Sequence, residues 1–125
     1  MNRVCVFFIL LLITAWNCET EPFSGGKRIY SIYCENCHMA DGTGLPPLYQ
    51  PIQESIYLGQ NISELPCLIR NGRQSSLMAN VVMPPHDLSE IDMVNLINYM
   101  NHRWGSSNSL NIKELKDNYS NCDSN

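Results

Sequence analysis

No stretch of this sequence alternates apolar and polar residues as a half-buried strand requires, and no segment repeats at a fixed period. A sheet-based or solenoid fold is therefore not expected. There is no excess of basic residues either. The chain carries 8 Lys and Arg against 12 Asp and Glu, and from Glu19 onward seven against twelve, which gives no grip on nucleic acid or an anionic membrane surface. Such mild acidity reads as a solubility feature, with steering of a basic protein partner as the alternative. The apolar run at residues 4–13 is about half the roughly 20 residues that a membrane-crossing helix needs. Among six cysteines only Cys34 and Cys37 form a close pair, and a structural zinc site would ask for about four ligands. With 125 residues the chain has room for one domain, small enough that a buried cofactor would help it fold.

What is present begins with Arg3, the apolar run 4–13, and then Thr14, Ala15, Trp16, Asn17 and Cys18. Residues 1–17 read as a secretory signal peptide, so the mature protein is expected to be exported. Cysteine just after a short apolar run is what bacterial lipoprotein signals present, and Cys18 is the expected site of lipid attachment. That would anchor the protein to a membrane from the bacterial periplasm. Trp16 and Asn17 stand where small residues are usual, and plain cleavage after Ala15 or Asn17 is the competing reading. Residues 18–25 have the composition of a flexible tether.

Helical patterning starts near Gly26, with Ile29, Tyr30, Tyr33 and Cys37 at spacings of three and four. It gives way to DGTGLPPLYQP at residues 41–51, whose two glycines and three prolines predict an ordered irregular loop. Ser63 is the expected N-cap of a short helix through Leu65, Leu68 and Ile69, with Pro66 in its first turn and Asn71-Gly72 as its stop. A second loop, 73–87, carries VVMPPH. Ser89 and Asp92 then predict a capping box for a helix whose positions Met93, Leu96, Ile97, Met100 and Trp104 face the core. Gly105 ends it, and Asn111 with Glu114 predicts a last short helix within the extension 106–125. The fold class is all-α: four to five short helices joined by long loops, and loops of that length in so small a domain are uncommon unless they wrap something.

Cys34-Glu35-Asn36-Cys37-His38 is the c-type haem attachment pattern. On a helical turn, side chains three and four apart share a face, so both thiols meet the haem vinyl groups while His38 reaches the iron. A thioredoxin-type pair would need a βαβ context, and a simple disulfide would leave His38 and the loops without a role. Candidates for the second axial ligand are Met39, Met78, Met83, His86, Met93, Met100 and His102. Met39 adjoins His38 and cannot reach around; Met93 and Met100 sit at core positions, and His102 lies late on the same helix, where solvent is the simpler reading. Met83 comes first, because Val81 and Val82 draw its segment inward and Pro84-Pro85 stiffens the backbone after it. Met78 comes second and His86 third. The other nitrogen of His38 needs an acceptor, and the carbonyl of Pro46 is the expected one.

Residues 26–105 resemble the class I cytochrome c family. Gly26, Tyr30, Cys34, Cys37 and His38 look like that family's first helix, in which a glycine lets the last helix pack closely and an aromatic covers the haem. DGTGLPPL looks like its following loop, and SEIDMVNLINY at 89–99 its closing helix. The resemblance implies a cytochrome c-like fold with haem-wrapping loops, one covalent haem c, and Met83 as distal ligand. Setting aside Cys5 in the leader, Cys18 and the haem pair leaves Cys67 and Cys122. In an exported protein these are expected to pair, two unrelated thiols being the alternative. With two axial ligands the iron has no open position, which suits carriage of single electrons between redox protein partners rather than catalysis. The alternative is a haem enzyme or gas sensor with an open distal site.

Overall fold

The computed structural model describes residues 21–58, 60–75, 80–105, 109–120 and 122. The leader, the lipidation candidate Cys18 and Met78 lie outside the described residues. Helix α1 spans Ser24–Tyr33 and a four-residue helix α2 spans Glu35–His38. The single helix expected through Cys37 is thus broken at Cys34. There the backbone tightens: the Cys37 and His38 N–H groups both donate to the Cys34 carbonyl, at 3.1 and 2.9 Å, so one acceptor serves two successive donors.

Helix α3 spans Leu65–Asn71 and has Pro66 in its first turn. Its N-cap is Glu64, with no side-chain hydrogen bond, so the cap expected of Ser63 falls one residue short. Gly72, at φ 71° and ψ −174°, ends the helix. Two-residue strands follow, β1 at Arg73–Gln74 and β2 at Val82–Met83, paired antiparallel with Arg73 opposite Met83 and Gln74 opposite Val82. Neither strand is foreshadowed by residue pattern, because two residues cannot display a period of two.

Helix α4, Glu90–Trp104, is capped by Ser89, whose Oγ accepts the Asp92 N–H at 3.2 Å. The expected reciprocal box is not made. Aspartate is one methylene shorter than the glutamate of that motif, and its carboxylate instead accepts the Ser89 hydroxyl at 2.8 Å. Helix α5, Ile112–Tyr119, has the full box: Asn111 Oδ1 accepts the Glu114 N–H at 3.0 Å, and Glu114 Oε2 accepts the Asn111 N–H at 2.9 Å. Among the described residues the fold is therefore mostly helical, with five helices and one small hairpin. None of the described helices is long and apolar enough to cross a membrane.

The core sits where α1 crosses α4. Gly26 makes the crossing close, since a Cβ there would meet the Asn95 carbonyl and the Tyr99 Cβ. Ile29 and Tyr30 pack here with Met93, Leu96 and Ile97, the last three fully buried. Tyr30 lies tilted against Tyr99 and Trp104, and those two meet edge to face, with ring centroids 5.1–5.9 Å apart. Leu65 and Ile69 of α3 and Leu110 and Leu115 of the C-terminal segment complete the core.

Candidate functional site

Between the helices and the two long loops lies a cavity of about 470 Å³, within the range of cofactor pockets. Tyr33, Cys34, Cys37 and His38 line it from the α1–α2 turn. Leu48 to Ile52 of the first loop, Leu65, Leu68 and Ile69 of α3, and Met100 of α4 supply apolar walls. The second loop contributes Val81, Val82, Met83, Pro84 and His86. A polar corner is formed by Ser55, Tyr57, Arg73, Gln74 and Ser75, in which Arg73 Nη1 donates to the Tyr57 hydroxyl at 3.3 Å. Arg73 is the single Lys or Arg among the described lining residues.

His38 Nδ1 lies 3.2 Å from the Gln50 carbonyl. With that nitrogen protonated and donating, the lone pair sits on Nε2, the tautomer a metal-ligating imidazole needs. The expected acceptor, Pro46, is corrected by this contact. Leu45 and Tyr49 exchange backbone hydrogen bonds of 2.9 and 3.1 Å. The loop thus closes on itself around Pro46 and delivers the carbonyl that follows the closure. Burial lowers the pKa of His38, and the bond to Gln50 only partly offsets this, a shift that favours the neutral ring, the form that binds a metal.

Cys34 and Cys37 are free thiols. Burial, and then the proximity of Cys37, push the Cys34 thiol up to about 12. A dithiol exchange motif works the other way, by depressing one thiol. Among the described residues no group of three or more His, Cys, Asp or Glu stands together, whereas a structural zinc site uses about four ligands.

Of the distal candidates, Met83 and His86 line the cavity, as does Met100, which is also a core residue. Met93 is fully buried in the core and His102 is exposed. Tyr30, implied to cover the haem, does not line the cavity: it is buried in the α1–α4 crossing, and its hydroxyl donates to the Met39 carbonyl at 2.7 Å. That bond steadies the turn after His38, and burial raises the phenol's pKa. Tyr33 is the aromatic of this helix at the cavity. Sequence reasoning also missed Gln50, Tyr57 and Arg73, for which no local pattern was available.

Two free thiols three residues apart, an imidazole next to the second, a thioether on a separate loop and one guanidinium in the lining of a largely apolar cavity form a donor set that fits a haem. The family model for cytochrome c matches residues 23–104. A comparison with curated proteins returns no match.

Proposed function

The chain belongs to the cytochrome c family, and from that premise we propose that it is an exported single-electron carrier with Cys34 and Cys37 attaching its haem and His38 and Met83 as axial ligands. As a member of the family it carries a covalently bound haem c and works in electron transfer with redox protein partners. The bound haem supplies the chemistry, a one-electron change at iron. The chain's own residues hold and insulate it. Gln50 orients His38 through its carbonyl, and Arg73, with Tyr57 as its acceptor, is the cation available to the haem carboxylates. Apolar walls from Leu65, Leu68, Ile69 and Met100 keep water from the centre.

The observation that carries the reading is that Cys34, Cys37, His38 and Met83 all line one cavity. Filling both axial positions leaves none for a substrate or gas, and a thioether ligand raises the reduction potential. Export is supported by Arg3 and the apolar run 4–13, and by the Cys67–Cys122 disulfide, a bond that persists in oxidising compartments. Attachment to a membrane through a lipid on Cys18, facing the bacterial periplasm, belongs to the same reading.

The test is spectroscopic. Produced with cytochrome maturation machinery, the oxidised protein is expected to show a methionine-to-iron charge-transfer band that Met83→Ala abolishes, with a fall in potential. An unchanged spectrum in Met83→Ala would remove Met83 from the iron and reopen the distal site to an enzyme or sensor function.

A further inference from the structure

The sequence marks Asn71-Gly72 merely as the end of a helix, yet the structure sets this glycine directly under the segment that carries Met83. Gly72 has φ 71° and ψ −174°, a region of backbone space open essentially to glycine alone. A Cβ built on it would run into the Met83 carbonyl oxygen, and would lie 2.8 Å from the Pro85 nitrogen and 2.9 Å from the Pro84 carbonyl carbon. All three are backbone atoms, unable to turn aside as the end of a side chain can, and Pro84-Pro85 has fixed φ angles. The Met-Pro-Pro segment therefore lies against the end of α3 because position 72 has no side chain.

Backbone hydrogen bonds fasten the contact on both sides. Before Met83, the Ser75 N–H donates to the Val81 carbonyl at 2.9 Å, and Arg73 and Gln74 pair with Met83 and Val82. After it, the His86 N–H donates to the Ile69 carbonyl at 3.0 Å. Met83 is thus gripped within the span from Val81 to His86 by α3 and the strand that leaves it. A thioether is a weak, uncharged axial ligand, so its hold on iron depends on how closely its position is set beforehand.

We propose that Gly72 is a positioning residue for the distal ligand: its missing side chain lets the end of α3 seat Met83 at the cavity, so that any larger residue there detaches the sulfur while leaving the fold in place. The proposal rests on Met83 being an iron ligand, and the experiment separates the two ideas.

The ferric holoprotein is compared with Gly72→Ala, Ser75→Pro, Met83→Ala and Gly42→Ala. The methionine-to-iron band and the far-ultraviolet circular dichroism are followed together during heating. Gly42 is the control: it also has positive φ, 78°, and a Cβ there would crowd the Trp104 ring at 2.8 Å, away from Met83. Gly72→Ala is expected to lack the band, or to lose it well below the temperature at which its helices melt, with its potential shifted toward that of Met83→Ala. Gly42→Ala is expected to melt earlier than the parent but to keep the band until it does. A band in Gly72→Ala that lasts to the unfolding temperature overturns the proposal. Should Gly72→Ala yield no holoprotein, Ser75→Pro decides. That variant removes one N–H of the clamp without adding bulk at position 72; early loss of its band supports the proposal, and a band lasting to its unfolding overturns it. A parent-like spectrum in Met83→Ala would instead show that the ligand assignment itself was at fault.

Discussion

Asp41 opens the loop that follows His38, and its side chain is fastened to the chain just after it. Its Oδ1 accepts the Thr43 hydroxyl at 2.7 Å and the Thr43 N–H at 3.1 Å. These bonds, the hydroxyl's first, lower the aspartate's pKa below its ordinary value. The sign of the effect follows from linkage. A carboxylate whose folded pKa is depressed contributes stability above its unfolded pKa and loses it as pH falls through the folded value. The loop between His38 and Gln50 is therefore expected to loosen at the acid end of the carboxylate range. An NMR titration of the holoprotein should place the Asp41 midpoint below that of an unstructured aspartate, and Thr43→Val should move it back up; equal midpoints in the two proteins would contradict the account. At this scale the sequence was legible wherever chemistry is encoded by residue type and spacing. Cys34, Cys37, His38 and Met83 all reach the cavity and all were named from the sequence. Gln50 was not, because it acts through a backbone carbonyl that every residue possesses, and only the closure between Leu45 and Tyr49 selects it over Pro46.

At the scale of elements, the crossing of α1 and α4 determines where the attachment turn sits, since that turn begins as α1 leaves the crossing. A Cβ at Gly26 would meet the Asn95 carbonyl and the Tyr99 Cβ, neither of which can move without shifting α4. In an isolated helix alanine is preferred to glycine by about 1 kcal/mol. Here the order reverses: overpacking costs typically 1–3 kcal/mol, and Gly26→Ala is expected to lower stability by about that amount. Denaturant unfolding of the holoprotein measures it, and a stabilised variant would show that the crossing is looser than described. Helices α4 and α5 were readable because apolar spacing and end signals agree over many residues, from Ser89 to Gly105 and from Asn111 onward. The hairpin was not, because β1 and β2 are specified by their pairing with each other rather than by any pattern within either. Ser63 misled for a related reason. The cap lies at Glu64, and Pro66, fixed in φ and lacking an N–H, suits a first turn whether the helix starts after residue 63 or 64.

On the scale of the whole molecule, the family match ends at Trp104, yet the chain beyond it completes the core. Leu110 and Leu115 are buried among residues of the matched region. Asn98 of α4 clasps Leu110 from both sides, donating to its carbonyl at 2.9 Å and accepting its N–H at 2.7 Å. The guanidinium of Arg70 lies 4.8 Å from the Tyr119 ring centroid. The disulfide between Cys67 and Cys122, with Cα atoms 5.3 Å apart, ties the end of this extension to α3, the helix whose other end seats Met83. Crosslinking residues 55 apart in sequence stabilises the fold by roughly 4 kcal/mol through the loop entropy withdrawn from the unfolded chain. Cys67→Ser with Cys122→Ser is therefore expected to lower the unfolding free energy by about that much, measured by guanidinium titration of the ferric holoprotein. Most of the loss should appear as a lower midpoint. In the parent holoprotein denatured without reductant, none of Cys34, Cys37, Cys67 and Cys122 should react as a free thiol: two are consumed by haem and two by the bridge. A full-sized loss of stability combined with an undisturbed methionine-to-iron band would mean that the bridge acts on the unfolded chain alone. A band weakened in step with the lost crosslink would instead make the extension a brace for the distal ligand, acting through α3.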